Sequence, residues 1–271
     1  VKIQISKLKD KKVLITRPIS QADDLIKVLQ GAGAKVIHIP LIEIADPSDH
    51  YRALDSAISQ LEIYDWLIFT SQNAVLKFFE RLRVHNKIPP LPPLKKGGGE
   101  DLISPLPLWE RPALSEVEGV RVRGHIAAIG ATTKKILQAE GISNVILPQK
   151  DSYSAQGLIK ALKHYDFREK RVLFPSAREI LETLPAWLKK RGAKVDVVET
   201  YETILPANID KTELVRLIST NKVDAVFFHS PSAVKNFIEV VGKKTAGDFK
   251  GAFYCIGPTT SATLKAQGLT T

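Results

Sequence analysis

The chain has 271 residues, 44% of them hydrophobic and 25% charged, with a net charge of +10 and an isoelectric point near 9.5. That is enough folded chain for one large or two ordinary domains. One cysteine, Cys255, excludes an intrachain disulfide, and no apolar run is long enough to cross a membrane.

The positive charge asks for an acidic partner. The lysines and arginines are scattered, without basic runs or interleaved aromatics. That weakens a nucleic-acid reading and leaves a membrane surface, a polyanionic small molecule or a plain solvated basic surface, with neither nucleic acid nor membrane expected as partner. Cys255 lies in an apolar strand, where a small buried hydrophobe is its expected role. The chain carries no visible signal-peptide core and fits a reducing cytoplasm, where it is expected; a monomer is expected as well.

In chain order, Lys12–Ile15 reads as a strand broken by Thr16-Arg17-Pro18. Gln21–Gln30 has Leu25, Ile26, Val28 and Leu29 at helical spacing, and Val36–Ile39 is the next strand. Strand, helix and strand at this spacing make a βαβ unit and hence a parallel sheet. Pro40–Asp46 is extended, and Tyr51–Leu61 is an amphipathic helix. The strand Trp66–Thr70 runs into Ser71-Gln-Asn73 and a helix marked by Ala74, Val75, Phe78, Phe79 and Leu82.

Ile88–Arg123 has no period and many prolines and glycines, so a mobile insertion is expected there. Beyond it the strands are Ile126–Ile129, Val145–Leu147, Val172–Phe174, Lys194–Val198, Val223–Phe228 and Phe253–Ile256. They alternate with helices Thr132–Ala139, Ser154–His164, Ile180–Arg191, Thr212–Ile218, Ser232–Val241 and a last one after Pro258, while Glu199–Leu205 is extended. Such alternation predicts an α/β fold.

The chain is also written twice. Lys12-Val-Leu recurs as Arg171-Val-Leu, Gly33-Ala-Lys-Val as Gly192-Ala-Lys-Val, and Phe69-Thr-Ser71 as Phe228-His-Ser230, each at an offset of 159 (171 − 12). The block Ile129-Gly-x-Thr-Thr133 recurs as Ile256-Gly-Pro-Thr-Thr260 at an offset of 127 (257 − 130). Three equal offsets predict a duplication, and the shortfall of 32 (159 − 127) marks extra residues where the proline-rich stretch lies. The second copy ends just after this block, so its last strand and helix are expected to be missing.

Each copy has strand ends that turn through Gly, Ser and Thr into a helix. Pro258 suits a first helical turn, threonines can cap it, and such helix starts attract anions. There is no metal-ligand spacing among the six histidines, no Walker loop and no G-x-S-x-G elbow. His38 and His229 are expected to be packed rather than catalytic.

These blocks, with Tyr201-Glu-Thr203 and Ser230-Pro-Ser-Ala-Val234, resemble the uroporphyrinogen-III synthase family over nearly the whole chain outside the insertion. The resemblance implies two parallel-sheet α/β domains (flavodoxin-like or Rossmann-like) joined by two extended connector strands. They would be residues 1–40 with 206–271, and 46–199 with the insertion at about 88–123; the connectors would be 40–45 and 200–205. It implies ring closure of hydroxymethylbilane, a linear tetrapyrrole bearing acetates and propionates, with inversion of the terminal pyrrole through a spiro intermediate. Neither cofactor nor metal is implied.

Carried over by motif, Tyr201 would help the substrate hydroxyl leave from the cleft, and Thr260 would be the second catalytic residue. Arg17, Ser71, Asn73, Gly130, Thr132, Thr133, Ser154, Ser176, Arg178, Ser230, Ser232, Gly257 and Thr259 would bind substrate carboxylates. At Thr133, capping and carboxylate binding are expected together. The rival readings are a non-catalytic two-domain binding protein for a carboxylated small molecule and an inactive, truncated paralogue.

Overall fold

A computed structural model describes residues 8–18, 21–85, 124–179 and 182–270. The expected mobile insertion at 88–123 lies outside these residues. The elements run β1 (Lys12–Ile15), α1 (Asp23–Gly31), β2 (Lys35–His38), β3 (Glu43–Ala45), α2 (Arg52–Ile58), β4 (Trp66–Phe69) and α3 (Gln72–His85). Then come β5 (His125–Ala128), α4 (Ala131–Ala139), β6 (Val145–Ile146), α5 (Ala155–Leu162), β7 (Arg171–Ala177), α6 (Thr183–Lys190) and β8 (Lys194–Ile204). The last are α7 (Lys211–Ser219), β9 (Ala225–Phe228), α8 (Pro231–Val241), α9 (Lys243–Asp248), β10 (Ala252–Cys255) and α10 (Pro258–Ala266).

The fold is α/β, as the alternation predicts. The chain divides into two compact units, residues 1–45 with 203–271 and residues 46–202. One sheet has the order β10-β9-β1-β2 and the other β3-β8-β7-β4-β5-β6. The pairings within β10-β9-β1-β2 and within β8-β7-β4-β5-β6 are parallel.

The central strands β4 and β9 are buried at every residue, as expected where helices cover both faces of a parallel sheet. Around β9, Phe228, Phe237 and Phe253 meet face and edge, with ring centroids 5.2–5.9 Å apart. Trp66 of β4 packs on Phe167 and Tyr165 at 4.9 and 5.0 Å.

The duplication is present in the strand pairing. The order β5-β4-β7-β8 repeats β10-β9-β1-β2. Trp66 lies opposite Val172 and Leu67 opposite Leu173; 159 residues away, Ala225 lies opposite Val13 and Val226 opposite Leu14.

Some boundaries differ from the sequence reading. The strand expected to stop at Val198 continues to Ile204, because Val198, Thr200 and Tyr201 are all buried and keep pairing useful. The helix expected over Tyr51–Leu61 ends at Ile58 and gives way to a 3-10 turn at Leu61–Ile63. Helix α9 has no counterpart in the sequence reading, since it buries only Ala246 and has no apolar period to see.

The last turn of α3 is tied to the end of α4 by an ion pair between Arg83 and Glu140, whose side chains are 13% and 0% exposed. Removing one partner of a buried pair leaves the other charge unmatched. Glu140→Ala should therefore lower unfolding free energy by about 3–5 kcal/mol in urea titrations. A loss below about 1 kcal/mol would show that the pair is solvated, as surface pairs are.

Candidate functional site

A parallel sheet sends every strand in the same direction, so the loops leaving its carboxyl ends gather along one edge. Most of the expected site residues fall on such loops or on the helix starts that follow them.

In the second unit the centre is Tyr201 of β8. Opposite it the ladder slips: Ser176 pairs with Glu199, but Ala177 pairs with Tyr201. Thr200 is the extra residue of this bulge, and its hydroxyl donates to the Ser176 carbonyl at 2.9 Å. A bulge re-aims the side chain beside it.

Tyr201 is 7% exposed, and its hydroxyl donates to Ser71 Oγ at 3.0 Å. Ser71 ends the loop after β4 and also accepts the Ala74 backbone N–H at 3.0 Å, capping α3. With both acceptor positions of Ser71 used, its own proton is left to donate. Asn73 is a second polar neighbour of the phenol.

Burial pushes the Tyr201 phenol above its ordinary value, although Ser71 and Asn73 pull it down by offering hydrogen bonds to the phenolate. The phenol is thus neutral and able to donate at neutral and mildly alkaline pH.

The rest of this edge is uneven. Ser176 is buried, and its hydroxyl donates to the Ala177 carbonyl at 3.1 Å beside the bulge. Arg178 is held by Glu202 at 2.8 Å. Ser154 caps α5 by accepting the Gly157 N–H at 3.1 Å. Gly157 admits nothing larger, since a Cβ would lie 1.8 Å from the Ser152 carbonyl oxygen.

Gly130 is the extended residue before α4, and Tyr153 packs 3.6 Å from the space a Cβ there would fill. Thr132 is exposed and Thr133 buried, but neither side chain caps α4. The expected capping by Thr133 is therefore not made: Gly130 takes the entry position, and Thr133 falls inside the first turn.

In the first unit, Ser230 caps α8 by accepting the Ala233 N–H at 3.2 Å, and Ser232 follows in the first turn, half-buried. Gly257 leads into α10 with φ +89°, a left-handed value that favours glycine. Thr259 is exposed and Thr260 buried, and again no threonine side chain caps the helix, contrary to expectation. The buried Thr16 hydroxyl donates to the Phe227 carbonyl at 2.8 Å and locks the end of β1 to β9. The Arg17 carbonyl meets His38 Nε2 at 2.8 Å, so His38 has a structural partner. The Arg17 guanidinium is half-buried and, among the described residues, donates to Gln21 at 3.5 Å.

Two further residues stand out from the sequence reading. Glu199 has its Oε1 sealed from solvent without a partner among the described residues. Burial raises its pKa against the pull of Arg178, with Glu202 and Asp49 adding to the rise. A glutamate in an extended run gives no sequence signal of this. His229 is half-buried, and both of its ring nitrogens are sealed from solvent without a partner among the described residues. Among the described residues, no three His, Cys, Asp or Glu side chains gather as a metal ligand set, and no helix is long and apolar enough to cross a membrane.

Two parallel α/β units built on one repeated pattern define a duplicated α/β class. The family model described as uroporphyrinogen-III synthase HemD matches residues 23–271. The chain is 28% identical to a uroporphyrinogen-III synthase of Synechococcus elongatus, covering 93% of this chain and 85% of that one. It is 27% identical to one of Chlorobaculum parvum, covering 96% and 90%.

The fold is similar to a solved mutant uroporphyrinogen III synthase of Thermus thermophilus, with a TM-score of 0.59 and 15% identity over 96% of this chain and 90% of that one. It is also similar to a uroporphyrinogen-III synthetase of Helicobacter pylori, with a TM-score of 0.51 and 18% identity over 96% and 91%. The chain belongs to the uroporphyrinogen-III synthase family, and its place in tetrapyrrole biosynthesis follows from that membership.

Ser71→Ala should remove the cap of α3 and a donor to the Tyr201 phenolate together. Stability should fall by about 1 kcal/mol, and the phenol should titrate at still higher pH than in the parent. Ultraviolet difference titration against Tyr201→Phe isolates that group. A phenol titrating lower in Ser71→Ala would contradict this hydrogen-bond arrangement.

Proposed function

We propose that the chain closes hydroxymethylbilane into uroporphyrinogen III with inversion of the terminal pyrrole ring. The observation that carries this reading is the neutral, buried Tyr201 phenol held by Ser71 and Asn73 at the strand ends of a member of this family.

The reaction begins with loss of the substrate's hydroxyl, which leaves positive charge on the pyrrolic system. Tyr201 turns its one O–H from Ser71 Oγ to the departing oxygen while Ser71 donates its own proton to the phenol oxygen, and the departing hydroxyl takes up a proton from solvent and leaves as water. The chain's remaining task is to hold the bilane folded so that the last ring is attacked at its substituted carbon, giving the spiro intermediate; positioning dominates such a step.

The carboxylates that set this fold are assigned to the strand-end donors: Arg17, Ser230, Ser232, Gly257 and Thr259 in one unit, Ser71, Asn73, Gly130, Thr132, Thr133 and Ser154 in the other. Thr260, buried in the first turn of α10, keeps that turn in place and contributes to binding and turnover together. Arg178 serves only on leaving Glu202, and Ser176 acts through the bulge. The working form is a monomer, a reading supported by two strand-end edges within one chain. A cytoplasmic location is supported by the buried free thiol of Cys255, which suits a reducing compartment.

Incubation with hydroxymethylbilane and separation of the products should give the type III isomer; formation of only the spontaneous type I isomer would overturn the reading. Tyr201→Phe should lower the single-turnover rate by about 10²-fold while leaving substrate affinity almost unchanged. A parent-like rate would make the tyrosine structural.

A further inference from the structure

The loops that enter β7 and β8 lie at the amino ends of those strands, opposite the edge that carries Tyr201. Strand β7 runs for seven residues, so the two edges are roughly 20 Å apart. Between these loops the surface opens into a hollow of about 640 Å³, lined by residues 164–166, Arg168 and residues 190–192.

The charge of this hollow is lopsided. Arg168, Lys190 and Arg191 line it with a single carboxylate, Asp166. Arg168 already holds that carboxylate, at 2.8–3.2 Å. Arg191 is fixed by donating to the Lys163 and Tyr165 carbonyls at 3.1 and 2.9 Å, and its guanidinium lies 5.3 Å from the centre of the Trp187 ring. Those two bonds use two of its five N–H groups. Lys190 and His164 are exposed, and neither side chain has a hydrogen bond or ion pair among the described residues.

Cations at this place could simply offset the carbonyl ends of α5 and α6, which the hollow adjoins. The duplication argues against that explanation. At an offset of 159 the same corner of the first unit is Lys9 and Gly31-Ala-Gly33. Its frame is the same. Asp10 and Glu169 both take left-handed φ values, 61° and 58°, and donate their N–H groups to the Gly33 and Gly192 carbonyls at 2.9 and 3.0 Å. Lys9 packs on Gly33 as Arg168 packs on Gly192. Yet α1 ends with no basic residue in its last turn, whereas α6 ends on Lys189 and Lys190. The corner therefore folds with Gly31 and Ala32 where the second unit has Lys190 and Arg191.

We propose that this hollow is a second anion site, taking a small molecule that carries phosphoryl groups. A carboxylate is planar and satisfied by one guanidinium fork. A phosphoryl group presents three oxygens in different directions, which suits guanidinium and ammonium groups lining one hollow. The unused N–H groups of Arg191 and the Lys190 ammonium supply the donors, and His164 adds a ring nitrogen. Asp166 stays paired with Arg168 and holds it in place. The volume lies within the range of small-molecule sites and admits more than one phosphoryl group. The site is separate from the strand-end donors and does not rest on the tetrapyrrole reading.

Isothermal titration calorimetry on the full chain with pyrophosphate, inorganic phosphate and citrate tests the proposal. Pyrophosphate should bind one to one, and both phosphate and citrate should bind more weakly. Lys190→Gln should weaken pyrophosphate binding by about 10-fold or more, as expected for losing a hydrogen bond between charged groups. Arg191→Ala should weaken it at least as much, with the melting temperature reporting whether that variant folds. Lys189→Gln makes the same charge change one residue away, outside the hollow, and should leave the affinity nearly unchanged. Uroporphyrin I should not displace pyrophosphate. No pyrophosphate binding, equal losses in Lys189→Gln and Lys190→Gln, or displacement by uroporphyrin I would each overturn the site. Citrate binding more tightly than pyrophosphate would overturn the phosphoryl assignment.

Discussion

A phenol sealed inside a sheet must find a hydrogen-bond partner or forfeit the interaction it had with water. Tyr201 finds Ser71, and the rest of the second unit's edge is arranged to make that meeting possible. Between them lies the end of β7, where the register slips so that Thr200 is spent on the Ser176 carbonyl and Tyr201 is turned across the strand end. Ser71 is fixed in turn by its own duty as the cap of α3. The donor is held by the backbone of three strands and one helix, which is how a group on rigid elements keeps its geometry without a loop to order.

The same frame is built twice with different residues at its strand tips. Strand order, register and the serine caps repeat, because they arise from the apolar strands and the helix starts that any copy needs in order to fold. The residues at the strand tips are free of that demand and have diverged: Arg17 against Ser176, His229 against Thr70.

The fold was legible because parallel strands leave near-continuous apolar runs such as Trp66–Phe69 and Ala225–Phe228, and because equal spacing betrays a duplication. Serine caps at Ser71, Ser154 and Ser230 follow from residue type and position and could be read with them. The threonine caps could not, since Thr133 and Thr260 fall inside the first turn of their helices once Gly130 and Gly257 take the entry position. The bulge was invisible, because a slip in register depends on two strands 24 residues apart and leaves no period in either. Nor could residue type show that Arg178 is engaged by Glu202 or that the His229 nitrogens find no partner among the described residues; both are facts of packing.

The central claim is that Tyr201 acts through the hydrogen bond Ser71 gives it a place to make. A double-mutant cycle on Tyr201→Phe and Ser71→Ala, read as the single-turnover rate of type III product, measures this directly. Residues that act as a unit are non-additive, so the double variant should be no slower than about the slower single variant. Rate losses that simply multiply would show that the two hydroxyls work independently and would contradict the account.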